Sequence, residues 1–465
     1  MNTVNSDFYR RSPRESVSYI ALFGSGLAGL GETMPKVVIA DIGQRTLREG
    51  IEQIFAAFGG VEALIPRAGT VFIKPNGIHF SPQTHTDPRV LEALLAFLRD
   101  HGYTRLAVME NCTNGNFTRL VFRLTGYADL CRRYGAEAVY LDEGPTMEVT
   151  LRGEEKPTCL PRRLYNELVA HKDANFYLSL PKLKTHSMTT VTLGIKNQQA
   201  FPIHAARMAR HTHATLHRRL AALYDLIRPD FCLIEGLTAT IHGHFPVTAL
   251  LDESVVPMNL LIGGDDTLAV DVVGARILGY SLAEVEHLRL AAEWGLGEGD
   301  LANIEVVGVP LSRFVHKYPH TLLRRFPPDV RIIEGKEPAC VEGCKGNSEC
   351  ILEMLTNDYH GRGEWTLIFG KGIDKSELKD LPGDILVVGP CAIGEVAEWL
   401  RTRYPDRQVY TVNEHNDLML NTTYQARLMG ITPVMMVPMN PLLSALTLVQ
   451  ARLHGLTARV PPLLG

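Results

Sequence analysis

Short apolar runs alternate with segments of helical periodicity along most of the chain. The runs are apolar almost throughout, which is typical of strands that are buried on both faces of a sheet. Helical patterns lie between many of them, for example at 47–58 and 88–100. We therefore predict an α/β domain over residues 36–310, with a mostly parallel sheet covered by helices. The strand-like runs are KVVIADI (36–42), TVFIKP (70–75), RLAVMEN (105–111), AEAVYL (136–141), ANFYLSL (174–180), FCLIEG (231–236) and NLLIGG (259–264).

A second series of strand-like and helical segments occupies the last quarter of the chain. Helical patterns at 392–404 and 418–429 separate the apolar runs, so we predict a smaller C-terminal α/β unit over residues 353–465. The segment 311–352 is rich in Pro, Arg and Gly, and we interpret it as a connector that carries clustered cysteines. Residues 1–35 form an N-terminal extension. The strand-like runs of the second series are WTLIFGKG (365–372), DILVVGPC (384–391), QVYTVN (408–413) and TPVMMVP (432–438).

Composition and charge limit the class of protein. Of the 465 residues, 45% are hydrophobic and 21% are charged, which is ordinary for a globular protein. The net charge of −4 provides no basic surface of the kind that nucleic-acid binders use, so we expect no nucleic-acid partner. No apolar run approaches the roughly 20 residues of a membrane-spanning helix. The apolar segment 19–30 lacks a signal-peptide cleavage site, so we expect a cytoplasmic protein.

Half of the eight cysteines lie in the last third of the chain, in a pattern typical of a metal cluster. Three lie in ACVEGCKGNSEC, and the fourth follows Gly-Pro in VVGPCAIG, where a helical pattern begins. A loop rich in Gly and Asn would let three thiols converge, and a helix N-terminus would stabilise the fourth as a thiolate. We predict a [4Fe–4S] cluster, with structural zinc as the alternative. Disulfides are disfavoured because nothing else in the sequence is typical of a secreted protein. The predicted ligands are Cys340, Cys344, Cys350 and Cys391.

The densest polar segment, PKLKTHSMTTVTLGIKNQQAF, follows the apolar run at 174–180. Lysines and hydroxyl groups at the carboxyl end of a strand are typical of a site for a phosphate or carboxylate group, and a solvated loop is the alternative. A second polar segment, KPNGIHFSPQTHTDP, ends the strand at 70–75. His186 is the candidate for proton transfer, because imidazole titrates near neutrality. The predicted catalytic residues are His186, Lys184 and Lys196, and the predicted binding residues are Lys74, Asn76, Lys182, Thr185 and Asn197.

Two further polar groups have a structural interpretation as well as a functional one. Asp271 lies in the apolar helical segment TLAVDVVGARIL, where a carboxylate is costly unless it is paired, and Lys182, Lys184 or Lys196 is a candidate partner. The segment HAARMARHTHATLHRRL places histidines among arginines, which favours a solvated basic face over a metal site. Its histidines are His204, His211, His213 and His217.

Four of these segments resemble the domain-of-unknown-function family DUF362. They are VFIKPN, LPKLKTHSMTTVTLGIKN, EGLTAT and GGDDTLAVDVVGARILG, and the resemblance covers roughly residues 36–310. It implies an α/β domain and a link to iron–sulfur redox chemistry, without an established reaction. After EGLTAT the family usually has an acidic residue and Gly-Pro, whereas this chain has HGHFP at 242–246. The gaps between the clustered cysteines also differ from those of ferredoxin-like modules.

The sequence therefore predicts an iron–sulfur-dependent redox enzyme or redox partner. It would act on a small anionic substrate and exchange electrons with a partner protein. One alternative is a phosphate-handling enzyme with structural zinc, which the lack of a Walker A pattern makes weaker. Another is a non-enzymatic metal-binding or assembly factor.

Overall fold

The computed structural model describes most of the chain from residue 34 to residue 460. Of the predicted N-terminal extension, only residues 16–17 and 34–35 are described, and His213 lies outside the described residues. The described residues are 16–17, 34–113, 115–209, 211–212, 214–337, 339–415, 417–436 and 440–460.

Strands and helices alternate through both halves of the described chain. The strands, in chain order, are β1 (Ser16–Val17), β2 (Lys36–Asp41), β3 (Val71–Pro75), β4 (Leu106–Glu110), β5 (Glu137–Tyr140), β6 (Thr146–Val149), β7 (Thr158–Pro161), β8 (Phe176–Leu180), β9 (Lys182–His186), β10 (Thr190–Val191), β11 (Phe231–Thr240), β12 (Val255–Gly264), β13 (Glu305–Gly308), β14 (Val330–Glu334), β15 (Trp365–Phe369), β16 (Asp384–Val388) and β17 (Val409–Val412). The α-helices are α1 (Leu47–Ala56), α2 (Val61–Leu64), α3 (Pro88–Asp100), α4 (Thr118–Thr125), α5 (Tyr127–Arg133), α6 (Arg162–Tyr165), α7 (Leu193–Asn197), α8 (His204–Ala209), α9 (Leu216–Leu226), α10 (Leu251–Ser254), α11 (Thr267–Ile277), α12 (Glu286–Glu293), α13 (Cys344–Asn357), α14 (Pro390–Ala392), α15 (Glu398–Arg403), α16 (Leu418–Leu428) and α17 (Pro441–Leu453).

The large domain is built on a mostly parallel sheet with apolar cores on both faces. Its main path runs β13-β2-β12-β11-β8-β3-β4-β5, and β12 is antiparallel to both of its neighbours. Along β2, Val37 and Ile39 belong to one core, whereas Val38 and Ala40 belong to the other. This alternation follows from the period of two in a strand. The predicted α/β fold class is confirmed.

Helix boundaries follow from local capping. Asp87 caps α3 by accepting a hydrogen bond from the N–H of Arg89, and Pro88 occupies the first turn, where no backbone donor is needed. Thr46 and Glu49 form a capping box at the start of α1. Both helices begin where the sequence pattern placed them. Among the described residues, no helix combines the length and the apolar character needed to cross a bilayer.

The C-terminal unit contains a four-stranded parallel sheet in the order β14-β15-β16-β17. The structure differs here from the sequence prediction in two places. First, β14 and the start of α13 lie inside the predicted connector, because β14 pairs along its whole length with β15. Second, the predicted strand at 432–438 has a turn of 3₁₀-helix at Pro433–Met436, where the fixed φ of proline favours a turn over a strand.

The last described helix joins the two sheets. α17 packs on α4 of the large domain, and Leu448 and Ala451 are buried there against Phe117 and Leu120. Arg123 also donates a hydrogen bond of 2.7 Å to the hydroxyl of Thr447. The C-terminal segment therefore contributes to the core of the large domain.

Candidate functional site

The lysine-rich segment after β8 is a buried strand and not a loop. Pro181 separates β8 from β9, and β9 pairs in parallel with β11 and antiparallel with β10. Lys182, Lys184 and His186 are each at most 3% exposed. The alternative interpretation as a solvated loop is therefore wrong. The reason is that the proline interrupts the backbone pairing without ending the sheet.

Lys74 lies at the centre of one buried polar network. Its Nζ is 2.9 Å from a carboxylate oxygen of Glu110, and it donates a hydrogen bond of 3.0 Å to Oδ1 of Asn197. Asn76 donates to the same oxygen of Asn197 at 3.3 Å. Burial lowers the pKa of Lys74, and the charge of Glu110 opposes that shift. Glu110, which the sequence analysis did not single out, is the counter-ion of this lysine.

The other two lysines of β9 have different partners. Lys182 lies 3.0 Å from a carboxylate oxygen of Glu235 and donates at 3.0 Å to the hydroxyl of Thr238. Lys184 has no carboxylate partner among the described residues and donates to Oδ1 of Asn76 at 2.6 Å and to the carbonyl of Thr84 at 3.0 Å. Burial, together with the charges of Lys182 and Lys196, lowers the pKa of Lys184 well below its ordinary value.

Thr185 holds the neighbouring loops onto β9. Its hydroxyl donates to the carbonyl of Pro319 at 3.2 Å and accepts from the N–H of Gly243 at 3.3 Å. These contacts belong to the packing of the domain. Within the described chain they give Thr185 a structural role.

Lys196 differs from the other lysines. The residue is 9% exposed. Among the described residues, its ammonium group has neither a hydrogen bond nor an ion pair. Burial lowers its pKa to about 7, and the charges of Arg207 and Lys74 act in the same direction. A buried cation without a counter-ion is unfavourable unless it loses its proton or acquires an anion. Lys196, which the sequence predicts as a catalytic residue, therefore remains available to a ligand.

The buried centre around β8 and β9 has an excess of positive charge. Two carboxylates, Glu110 and Glu235, each pair with one lysine. The cations left without a carboxylate at hydrogen-bond distance among the described residues are Lys184, Lys196 and Arg207. This imbalance favours a negatively charged ligand.

His186 is stacked on the histidine of the HGHFP segment. The rings of His186 and His244 lie 3.7 Å apart and are nearly parallel, at 2°. Burial lowers the pKa of His186 well below its ordinary value, and the charges of His244 and Lys196 contribute. The N–H of Met188 donates to Nδ1 of His186 at 3.1 Å, so the neutral ring has its proton on Nε2. In this state the Nε2–H group of His186 can donate a hydrogen bond.

Asp271 accepts hydrogen bonds from the backbone and not from a lysine. Its two carboxylate oxygens accept from the N–H groups of Gly194 and Ile195, at 2.7 and 2.8 Å. These N–H groups belong to the first turn of α7, where a helix has unpaired donors. The expected pairing with a lysine is wrong, because the free donors of α7 lie closer to this buried carboxylate.

Three of the four predicted metal ligands, Cys340, Cys344 and Cys391, lie in segments that follow strands at the carboxyl edge of the small sheet, but no three of the described ligand atoms among them and His415 all lie within 4.8 Å of one another. Cys344 begins α13. Burial raises the pKa of its thiol to about 12, and the charges of the Cys340 and Cys391 thiols contribute to this shift. Nδ1 of His415, in the loop after β17, lies 3.6 Å from Sγ of Cys344. These residues, Cys340, Cys344, Cys391 and His415, are called the thiol–imidazole group below.

A glycine makes room for this group. Gly389 has a φ of 91°, and a Cβ atom there would lie 2.4 Å from Sγ of Cys344. Only glycine suits both the backbone conformation and the close approach of the thiol. The donor set of three thiols and one imidazole fits a structural zinc ion or an iron–sulfur cluster with mixed ligands.

Cys350 lies apart from the other three thiols. It follows Cys344 by six residues in α13, which corresponds to about 9 Å along the helix axis and a different helix face. Burial raises the pKa of Cys350 to about 12, and the charge of the Glu353 carboxylate contributes to this shift. The predicted loop that would bring Cys340, Cys344 and Cys350 together is instead a helix from Cys344 onward.

One contact links the thiol–imidazole group to the positively charged centre. Nδ1 of His211 lies 2.5 Å from the carbonyl oxygen of Glu342, in the turn between Cys340 and Cys344. Burial lowers the pKa of His211 to about 4, and the charge of Lys196 contributes to this shift. The two parts of the site therefore adjoin each other across the boundary between the large domain and the C-terminal unit.

A cavity of about 360 Å³ lies at the same boundary. Its lining comes from α8, from the loop after β17 and from the segment after α17, and it includes His204, His415 and Arg459. None of the predicted lysines lines it. His415 and Arg459 were missed in the sequence analysis, because no motif surrounds them. The available signal for His415 was its place after a strand of the parallel sheet, on the edge where Cys391 also lies.

Comparison with known proteins supports a family assignment. Residues 71–276 match the model of the family described as a domain of unknown function (DUF362). No curated protein matches the chain. A crystal structure of a protein from Thermotoga maritima is similar with 12% sequence identity, a TM-score of 0.35 and coverage of 82% of each chain. Residues 71–276 are therefore identified as a DUF362 domain.

Proposed function

We propose that the chain is an iron–sulfur redox enzyme that acts on a small anionic molecule. The observation that supports this most directly is the contact between His211 and the carbonyl of Glu342. It joins a group of thiols to a buried centre with excess positive charge. The two parts belong to separate sheets, so their adjacency favours a shared function.

The thiol–imidazole group would hold the cluster. Its thiols come from two separate turns of the C-terminal unit, at 340–344 and 389–391, and His415 comes from a third. An iron–sulfur cluster bound there would accept and supply single electrons. Cys391 is exposed, which provides a route for an electron-transfer partner at the surface.

The large domain would bind the anion. Lys196 would acquire a proton and pair with the negative group, because its pKa is lowered only while it lacks a counter-ion. His186 would donate a hydrogen bond to the anion through its Nε2–H group, since its Nδ1 accepts the N–H of Met188. The paired lysines, Lys74 and Lys182, would keep the strands in register without contacting the ligand.

The first experiment tests the cluster and its ligands. The protein is purified without oxygen, and its iron, zinc and acid-labile sulfide are measured. We expect brown protein, loss of iron in Cys344→Ala and His415→Ala, and retained iron in Cys350→Ala, which changes a thiol on the same helix. Colourless protein with one zinc ion would overturn the redox assignment, and loss of iron in Cys350→Ala would overturn the ligand set.

The second experiment tests the anion site with sulfate as the probe. Sulfate should raise the midpoint of thermal unfolding of the wild-type protein, because a ligand that binds only the folded state stabilises it. Lys196→Met should remove most of this effect. Lys375→Met, at an exposed position in the C-terminal unit, is the matched control and should retain it. Equal stabilisation of all three proteins would contradict binding at Lys196.

A further inference from the structure

A buried cysteine, aspartate and histidine meet at the carboxyl edge of the large sheet. Cys112 follows β4 and Asp142 follows β5, its parallel neighbour, while His204 begins α8. One ligand atom of each residue lies within 4.8 Å of the others. All three are at most 1% exposed. The group shares no residue with the thiol–imidazole group.

Three of the group's polar atoms lack a hydrogen-bond partner among the described residues, whereas the thiol of Cys112 donates to the carbonyl of Thr113 at 3.6 Å. Oδ2 of Asp142 accepts a hydrogen bond of 2.8 Å from the N–H of Thr118, but Oδ1 accepts none from the described residues. Neither ring nitrogen of His204 has a partner with hydrogen-bond geometry in the described chain. Buried polar atoms in folded proteins are almost always satisfied. A ligand that accepts electron pairs from oxygen and nitrogen would satisfy them here.

The surrounding contacts orient the three side chains. The N–H of Cys112 donates to the hydroxyl of Thr118 at 3.2 Å. The carbonyl of Asp142 accepts from the N–H and hydroxyl of Thr457, at 2.7 and 3.0 Å. The C-terminal segment thereby fixes the turn that carries Asp142.

Arg207 is the cation nearest to the group, and it is directed to the backbone. Its guanidinium donates to the carbonyl of Cys112 at 2.6 Å and to the carbonyl of Asn111 at 3.2 Å. A thiolate from Cys112 and a carboxylate from Asp142 would balance the two charges of a divalent ion.

We infer that Cys112, Asp142 and His204 bind a divalent transition-metal ion of the zinc class. Sulfur, oxygen and nitrogen donors together suit zinc and cobalt, and three protein ligands leave one coordination position for another molecule. In a tetrahedral site the ligand atoms lie about 3.5 Å apart, so the side chains would close by about 1 Å when the ion binds. His204 also lines the cavity described above, which provides a path for the ion.

Titration with cobalt(II) under anaerobic conditions tests the inference in the full-length protein. We expect one equivalent to bind at this group, with a thiolate-to-cobalt charge-transfer band and visible bands typical of tetrahedral coordination. Cys112→Ser should abolish the charge-transfer band, and His204→Gln should weaken binding at least tenfold. Cys131→Ser, which changes another buried thiol of the same domain, should leave the spectrum unchanged.

The thiol–imidazole group provides the second control. If the cobalt spectrum is lost in Cys391→Ser and retained in Cys112→Ser, the ion binds in the C-terminal unit and the inference is wrong. Absence of any charge-transfer band in the wild-type protein would also overturn it. If Cys112→Ser does not fold, His204→Gln decides the question, because unchanged affinity in that variant contradicts a nitrogen ligand. Success or failure here leaves the proposed iron–sulfur function untouched, since the two ligand sets differ.

Discussion

Burial determines the charge state of Lys196. In water a lysine is protonated up to pH 10.5, but in the folded chain burial and the charges of Arg207 and Lys74 lower this pKa to about 7. The unfolded chain therefore binds more protons than the folded one between these two values. The lowered pKa of Lys196 therefore destabilises the folded state by its full amount below pH 7, and this destabilisation disappears as the pH rises to 10.5.

Replacement of Lys196 by methionine should therefore stabilise the protein at neutral pH. We expect a gain of a few kcal/mol at and below pH 7, since one pKa unit corresponds to about 1.4 kcal/mol. The gain should shrink steadily above pH 7. Urea denaturation of both proteins across this pH range measures it, with Lys375→Met as the exposed control. A variant that is less stable than the wild type at pH 7 would show that Lys196 has a charged partner in the folded protein.

At the scale of elements, the crossing of α7 and α11 depends on one glycine. A Cβ atom at Gly194 would lie 2.7 Å from a methyl carbon of Thr267 and 2.9 Å from Sγ of Cys232. It would also lie 3.0 Å from the Asp271 oxygen that accepts the N–H of the same glycine. The short helix α7, which carries Lys196 and Asn197, thus approaches α11 more closely than it could with any residue other than glycine at position 194. This contact positions the buried polar centre.

Alanine substitutions at two glycines should have opposite effects. Gly194→Ala should destabilise the protein by about 1–3 kcal/mol, because the added methyl group overpacks the contact between α7 and α11. Gly394→Ala, in a helical segment where a Cβ atom meets nothing within 4 Å, should stabilise it by up to about 1 kcal/mol. Equilibrium denaturation of both variants checks the pair. An unchanged free energy of unfolding in Gly194→Ala would mean that α7 can shift on α11 without cost.

At the scale of the whole molecule, α17 joins the C-terminal unit to the large domain. Leu448 is 5% exposed and packs against Phe117 and Leu120, whereas Leu446 on the same helix is 58% exposed. The segment that follows α17 then holds the backbone of Asp142 through Thr457. Stability of the two units is therefore coupled, although each has its own sheet and core.

Leu448→Ala should destabilise the protein by about 2–5 kcal/mol, because it leaves a cavity between α17 and α4. Leu446→Ala should change stability by less than about 0.5 kcal/mol, since that side chain is mostly in solvent. Denaturant unfolding monitored by the intrinsic fluorescence of the chain measures both. Similar effects of the two substitutions would contradict the docking of α17 on α4.

The buried polar centre was only partly predictable from sequence. The apolar run before Pro181 indicated that Lys182, Lys184 and His186 follow a buried strand, because apolar runs are a local signal of buried strands. Their partners were not predictable, since Glu110 and Glu235 lie in other strands that become neighbours only in the sheet. For the same reason the backbone donors that Asp271 contacts could not be identified from its own helix.

The predicted metal ligands show the same division. Clustering of cysteines predicted a metal site, but the helix from Cys344 onward separates Cys350 from the other three thiols. His415 and the group of Cys112, Asp142 and His204 combine residues that are distant in sequence. No local pattern distinguishes such residues, because parallel strands connected by helices bring remote turns to one edge of a sheet.

The amino-acid sequence by itself determined the α/β class, the order of strands and helices, and the residue types available for charge and metal chemistry. These properties depend on interactions within a few residues: apolar periodicity, capping and the conformational limits of proline. Only the tertiary structure decided which lysines are neutralised, that Lys196 remains without a counter-ion in the described chain, and which thiols meet an imidazole. Such outcomes depend on burial and on contacts between strands far apart in the chain, and both arise only when the sheets are assembled.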